Sequence, residues 1–533
     1  MVKRLSNLLG RKSRPLDEES VVANMLRLVP AARAAGEGAV QDLAKNLAEI
    51  GMECLESECP ARAAQALSAA DSLGYAAPYF LYNLALAYGR SGESAASVEA
   101  FRKAQTQGPR DAQADGYALR QLHALDHVTL SELRTAAEEW AALYAPDCEV
   151  RTSSGMHTPL RIGLVSGRFQ RHAVGFLTLG VLEALDSARF SLLMFDNGKH
   201  EDDYTNRFKA IASAWIRISE LDDDAAADAV RAQKIDVLID LGGHSDGGRM
   251  GLFARRPAPV QVKWAGGQHG TTGLKAMDYF ISDAVETPTG DDEYFVETVI
   301  RMPDSYACYT PPPDAPGVNS LPAATRGVVT FGSFNNIAKI GPRTVAAWAR
   351  ILQALPDSCL VLKHSALSEA ETRNRLEADF AAYGIVPSRL ALRTPTGHTA
   401  HLAAYHDIDI ALDPFPWSGC VTTCESLWMG VPVLTLPGIA FCHRHSASFL
   451  RCAGLDEWIA ADEDDYVEKA IGYANQLESV AALRVSLRDR VRRSPLCDAP
   501  RFARRFDDTL ISIVQARLPA VPDAPSAHIT PDE

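Results

Sequence analysis

A chain of 533 residues and 57.7 kDa exceeds one ordinary core, so about three domains are expected at roughly 150 residues each. Apolar residues at 47 % and charged residues at 23 % exclude a mostly disordered or fibrous chain. With 53 Lys plus Arg against 67 Asp plus Glu, a net charge of −14, a general nucleic-acid binder with a basic stripe is excluded too, and an anionic ligand must be met by local donors.

Residues 1–17 read as a basic flexible arm, because Leu5, Leu8 and Leu9 are too few for the ~7 to 15 apolar residues of a secretory signal. No run reaches the ~18 to 20 apolar residues of a membrane helix. The ten cysteines form no C-x-x-C pair, which fits reduced thiols and a cytoplasmic location. Over 18–146, Leu47, Ile50, Gly51, Cys54, Ala63, Leu67 and Ala70 recur 34 positions later as Leu81, Leu84, Ala85, Tyr88, Ser97, Phe101 and Ala104. That is the tetratricopeptide (TPR) period, with Gly92 at the turn and Pro109 closing the second unit. Two repeats are fewer than the ~3 of a free-standing array, so helices at about 18–40 and 111–145 are expected to cap them. A generic Ala-rich helical bundle is the alternative.

The polar stretch 147–159 marks a boundary. Apolar runs at 161–167, 190–197, 234–243 and 260–267 then alternate with helices at 203–215 and 222–233, which predicts a parallel sheet in a Rossmann-like lobe over 159–310. A Pro-rich link, 309–327, leads to a second such lobe over 327–515. Its strands are expected within 327–336, 358–365, 388–395, 408–416 and 431–438. Its helices are expected at about 342–355, 368–384, 398–406, 422–430, 465–490 and 500–517. Residues 518–533, rich in proline, read as a disordered tail.

In an open parallel sheet, ligands sit outside the carboxyl ends of the strands. Asn335 and Asn336 end one strand, and Lys339 follows before a helix, where an ammonium can neutralise a departing phosphate; a loop lysine is also commonly just solvated. After Asp413 the chain turns through two prolines and Gly419 into a helix at Thr422 or Thr423, with Glu425 in its first turn. Such a start offers amides and a positive dipole end to phosphate, and serves equally as an ordinary N-cap. His172 follows the first strand where a helix opens, and can act near neutral pH as base or donor, or be an ordinary surface histidine. Glycine clusters across 240–273 permit close backbone approach to a ligand. Asp407-Ile408-Asp409 fits a strand start better than a metal-binding D-x-D. Cys442, His443 and His445 lack a second ligand cluster at zinc-like spacing, so no metal is expected.

The segments RPAPVQVKWAGG, MDYFISD, VTFGSFNNIAKI, TTCESLWMGVPV and SPLCDAPRFARRF closely resemble the protein O-glycosyltransferases of glycosyltransferase family 41, which includes O-GlcNAc transferase and the SPINDLY proteins. The resemblance covers about 160–515. It implies an α-helical TPR-like N-terminal region followed by an α/β GT-B fold of two Rossmann-like lobes. It further implies a nucleotide-sugar donor held mainly by the second lobe, and inverting transfer to Ser or Thr with neither metal nor other cofactor. Carried over by position, Lys339 meets the donor diphosphate, Asn336 contacts phosphate or sugar, and His401 stacks on the base with His398 nearby. Thr422 and Thr423 lie in the phosphate-binding helix start, Glu425 meets the ribose, and His172 lies near the reaction centre. Cys420, at the helix start, and Gly266, opening the GGQHGTTG loop, join the expected donor-binding set.

Two departures bear on the donor. Cys420-Val421-Thr422 stands where O-GlcNAc transferase has His-Thr-Thr, and GGQHGTTG differs from the Gly-Tyr-Pro loop of both relatives. The donor is therefore open among UDP-GlcNAc, GDP-fucose and a CMP-nonulosonic acid. The acceptor implied is a protein bound through the repeats, with bacterial flagellin a candidate; no nucleic acid or membrane span is expected. Two other readings stay open: a non-enzymatic TPR scaffold with degenerate lobes, and a GT-B transferase or epimerase acting on a small molecule.

Overall fold

The computed structural model describes residues 18–145 and 156–517. The expected arm at 1–17, the tail at 518–533 and most of the polar boundary lie outside those residues. The first part is all helical. The helices Glu37–Glu56 and Pro60–Ser72 are followed by Phe80–Ser91 and Ser94–Gln107, the two repeats the 34-residue period predicts. Leu47, Ala63 and Leu67 of the first and Leu84, Ala85, Ser97 and Phe101 of the second are buried between them. Helices at Glu18–Leu26 and Val29–Ala35, and at Ala112–Leu122 and Leu130–Tyr144, flank the pair and cover its ends.

The first α/β lobe contains β1 (Leu160–Ser166), β2 (Phe190–Asp196), β3 (Ala214–Arg217), β4 (Val237–Asp240), β5 (Val260–Lys263), β6 (Tyr279–Asp283) and β7 (Thr298–Met302). All pair in parallel, in the order β3-β2-β1-β4-β5-β6-β7. β1 and β2 read as nearly unbroken apolar runs because helices cover both faces of the sheet. Three of these strands are additions to the sequence reading. β3 occupies the end of the segment read as a helix to residue 215, and the helix itself stops at Ile211. The segment AWIR follows that helix with only two residues between and continues its apolar pattern, so the sequence does not tell it from a helix end. β6 and β7 likewise lie in short segments whose pattern turns apolar on one face only.

The second lobe has β8 (Thr330–Ser333), β9 (Cys359–Lys363), β10 (Leu390–Arg393), β11 (Ile410–Leu412) and β12 (Val433–Leu434), all parallel, in the order β10-β9-β8-β11-β12. All five expected strands are there. The helix Ala499–Arg517, however, covers the first lobe: Trp264 after β5 packs on the rings of Phe506, 4.4 Å away, and Phe502, 6.0 Å away. The Arg189–Asp507 and Arg501–Asp304 ion pairs hold its flanks there. The chain-order division at 327–515 groups this helix with the second lobe, whereas its apolar face closes the first. Among the described residues no helix is long and apolar enough to cross a membrane.

The helical region is docked on both lobes. Trp140 lies in a buried cluster with Phe253 and Leu274 of the first lobe. On the second lobe, the buried Glu369 accepts hydrogen bonds from the Ala61 and Arg62 amides at 3.0 and 3.1 Å, capping the helix Pro60–Ser72 from another domain. The Arg375 guanidinium donates to Ser91 O at 2.6 Å. A groove of about 1690 Å³ runs between residues 92–143 and second-lobe residues 338–383. Glu369→Ala strips two helix-start amides of their acceptor, a loss worth about 1–3 kcal/mol. We expect a lower thermal unfolding midpoint and faster proteolysis of the helical region, with Glu369→Gln falling in between; an unchanged protease pattern contradicts the capping role.

Candidate active site between the lobes

The carboxyl ends of β8 and β11 face a cleft, and the buried carboxylate of Asp413, one residue past β11, organises its second-lobe wall. Asp413 accepts from the Gly419 amide at 2.7 Å, from Thr435 Oγ1 at 2.7 Å and from Asn335 Nδ2 at 3.4 Å. Burial pushes its pKa up, and hydrogen bonds from Ser446 and Thr435 with the charge of Lys339 work against that. Gly419 is there because space is absent: a Cβ would lie 2.5 Å from Thr423 Oγ1 and 2.7 Å from Asp413 Oδ1.

Lys339 stands opposite this turn. Its Nζ donates to Ser418 O at 2.6 Å and sits 5.4 Å from the centroid of the Trp417 ring. Burial lowers its pKa and the nearby Asp413 charge raises it, so the amine is partly desolvated yet faces a counter-charge. The helix after the turn is Val421–Trp428, with Cys420 at the N-cap and no side chain capping its first turn. Neither threonine is therefore the cap that the spacing allowed. Thr422 Oγ1 donates to Asn335 Oδ1 at 3.0 Å, and Thr423 Oγ1 lies 2.7 Å from Ser446 Oγ. Cys420 Sγ lies 3.5 Å from the Tyr306 hydroxyl of the first lobe.

Glu425, buried one turn on, faces two histidines. His398 Nε2 lies 2.7 Å from Oε1 and His401 Nε2 3.6 Å from Oε2. Burial works to raise the Glu425 pKa, but the bonds from His398 and His401 outweigh it and hold the carboxyl below its usual value. His398 also stacks on Phe176 of the first lobe with ring centroids 5.1 Å apart, and His401 meets the edge of Phe334 at 5.3 Å.

From the first lobe, His172 caps the helix Ala173–Glu183, its Nδ1 accepting from the Val174 amide at 3.3 Å. The residue is open to solvent at the cleft mouth, while the protein packed round the ring, and then Arg168, push its pKa below the ordinary histidine range. With Nδ1 accepting, the neutral ring carries its N–H on Nε2. Arg171 beside it bonds Asp203 and Asp314 and approaches His398 Nδ1 at 3.5 Å. Gly266 backs the site on the first-lobe side, where a Cβ would meet Leu241 O at 2.3 Å. Its carbonyl accepts from Lys263, which is buried in an ion pair with Asp240 at 2.9 Å.

The structure thus gathers Lys339, Cys420, Thr422, Thr423, Glu425, His398 and His401 on the second-lobe wall, with His172 and Gly266 on the other. Asn336, like His172, is exposed, and its side chain accepts from the Ala338 amide. Its neighbour Asn335 is the buried one that joins Asp413 to Thr422. Sequence reasoning gave no role to Asp413, Lys263 or Asp240, yet each carries a signal. A charged residue inside or closing an apolar run such as IDIALD, VLID or VQVKW must be partnered when the strand is buried.

Glu425→Gln keeps the shape of this network and removes its charge. Because the folded pKa of Glu425 lies below the unfolded one, the stabilisation is complete above roughly pH 4.3 and is lost as pH falls through the lower folded value. We expect the thermal midpoints of wild type and Glu425→Gln to differ most near neutral pH and to converge in acid. A gap that stays constant across that range contradicts the ion-pair assignment.

The model of Glycosyl transferase family 41 matches residues 141–309 and 320–506. A probable UDP-N-acetylglucosamine–peptide N-acetylglucosaminyltransferase SPINDLY of Petunia hybrida is 39 % identical over 361 residues, 66 % of this chain and 38 % of that protein. Its counterpart in Solanum lycopersicum is 37 % identical over 396 residues, 72 % of this chain and 42 % of its own. The chain thus spans about two fifths of the length of these curated relatives. A lysine-to-methionine mutant of Thermobaculum terrenum O-GlcNAc transferase superposes with a TM-score of 0.83 at 32 % identity, over 95 % of this chain and 99 % of that one. The two-lobed architecture is accordingly GT-B, and the chain belongs to glycosyltransferase family 41.

Proposed function

We propose that the chain is a protein O-glycosyltransferase that moves a sugar from a nucleotide-sugar donor to a Ser or Thr hydroxyl, with inversion at the anomeric carbon and without a metal ion. The observation that carries this reading is the pairing of Lys339 with the Gly419–Thr423 helix start on one wall of the cleft, beside a groove of about 1690 Å³. A diphosphate between them meets an ammonium and helix-start amides, and such preorganised donors are worth about 3–4 kcal/mol each in a transition state. The neutralisation a metal would supply thus comes from the chain itself. The acceptor oxygen attacks the anomeric carbon as the bond to the diphosphate breaks, the diphosphate leaving with the bonding electron pair and the hydroxyl proton passing to solvent. His172, with its Nδ1 already bonded, orients groups in the cleft as a donor rather than removing a proton.

His398 and His401 lie with Glu425 where a nucleoside would stack and be hydrogen-bonded, and Asn335 suits the role that the sequence assigned to Asn336. The relatives' names make UDP-N-acetylglucosamine the first donor to test, with GDP- and CMP-sugars in the same thermal-shift panel, since a bound donor raises the midpoint by mass action. Ala338, Ile340, Gly341 and Pro342, which bracket Lys339, line the groove, so an acceptor lying along it reaches the cleft. Flagellin is an acceptor to try first, because a short repeat region suits a narrow acceptor range. Cys308, Cys359, Cys420, Cys424, Cys442, Cys452 and Cys497 are free thiols, which fits the proposed cytoplasmic setting.

Lys339→Ala is expected to lower transfer by at least about 10²–10³-fold with an unchanged circular dichroism spectrum. Wild-type turnover with a donor shown to bind defeats the assignment. Ala96→Trp, placed in the groove wall away from the cleft, is expected to raise KM for a protein acceptor while donor affinity measured by calorimetry stays the same; an unaltered KM removes the groove from the acceptor path.

A further inference from the structure

One group of side chains lies outside the donor cleft and is used by none of the chemistry above. His123 of the helical region reaches Cys442 and His443 of the second lobe, and one ligand atom from each lies within 4.8 Å of the others, all three residues being buried. On sequence, Cys442 and His443 lack a further ligand at zinc-like spacing; the fold supplies it from a residue 320 positions away.

The cluster has the features of a metal site. Nδ1 of His123 is buried without a hydrogen-bond partner, in a residue only 7 % exposed. The Nε2–H of His443 donates to His123 O at 2.8 Å, the arrangement that fixes the tautomer of a metal-bound imidazole. Its Nδ1 holds only a 3.3 Å contact from the Ala440 amide, which a metal can replace. A cavity of about 50 Å³ shares His123 with the cluster and is also lined by His244, His269 and Ala440, room for an ion's remaining water.

We propose that His123, Cys442 and His443 form an inhibitory site for a borderline-soft d¹⁰ cation of the Zn²⁺ class. Two imidazoles and a thiolate are a ligand set such ions favour, with a fourth position left for water. On binding, the Cys442 S–H proton passes to solvent and an S–metal bond forms; no electron moves. The site communicates with the cleft by contact: Ser418 Oγ donates to Cys442 O at 3.2 Å, and Ser418 O accepts the Lys339 ammonium. Pinning Cys442 to the helical region fixes the strap against which Lys339 is held. The inhibition rests on the transferase reading, whereas the binding does not.

The test uses the full chain and Cd²⁺, whose thiolate bond gives an ultraviolet charge-transfer band. We expect one equivalent per chain to produce the band, Cys442→Ser to abolish it, and His123→Gln to weaken binding by at least about tenfold, the loss that even an outer-shell partner causes. Cys452→Ser, a thiol outside the cluster, should keep the band. Where the cluster variants fail to fold, anomalous scattering from wild-type crystals soaked in Cd²⁺ reads the same point, with a peak expected between the three side chains. No band, a band that survives in Cys442→Ser, or a peak elsewhere overturns the site. Binding at the cluster without loss of transfer overturns the inhibitory role and leaves both the site and the transferase reading standing.

Discussion

A single buried carboxylate holds the candidate site in shape. Asp413 has lost nearly all its water, and it is tolerated because the Gly419 amide, Thr435, Asn335 and the nearby Lys339 replace that hydration. Those same bonds fold the Pro-Phe-Pro-Trp-Ser-Gly turn into the approach to the helix Val421–Trp428, and they give Lys339 a counter-charge close to where a diphosphate would lie. An uncharged residue at 413 would remove the nearby negative charge that offsets the burial of Lys339 and weaken the hold on the Gly419 amide.

The second constraint is the seam between domains. Lobes joined by a Pro-rich link could drift, yet Arg171, Asp314 and Thr399 form a hydrogen-bonded chain from the first lobe through the link to the helix that carries His398 and His401. The helix Ala499–Arg517 runs back from the second lobe to cover Trp264. The helical region adds Trp140 to the first lobe's packing and receives the Glu369 cap from the second. The repeats are therefore part of one body with the lobes rather than an appended arm, and removing them would expose apolar surface on the first lobe and leave Glu369 without its donors.

The fold was largely legible because most of its parallel strands are buried and write themselves as apolar runs, while the helical repeats announce themselves by their 34-residue period. β3 was not legible because its segment AWIR follows the helix Asp203–Ile211 with only two residues between and continues that helix's apolar pattern. The spatial home of the last helix depends on which uncovered apolar face it meets, which local pattern does not encode. At the site, Lys339 and the helix start could be found from strand-end position alone. That Asn335 is buried and Asn336 exposed is not written in the adjacent pair of identical residues, and the partnership of Asp413 with Gly419 and Thr435 needs the third dimension. The meeting of His123 with Cys442 lies further still from any local signal, since only domain docking brings them together.

The most direct test of the central claim is a crystal structure of the wild-type chain with a nucleoside diphosphate bound. The account predicts that the diphosphate displaces the Lys339 contact with Ser418 O and lies between that ammonium and the amides of residues 420–423, with Asp413 unmoved. A diphosphate seated elsewhere, or one that leaves Lys339 on Ser418, would contradict it.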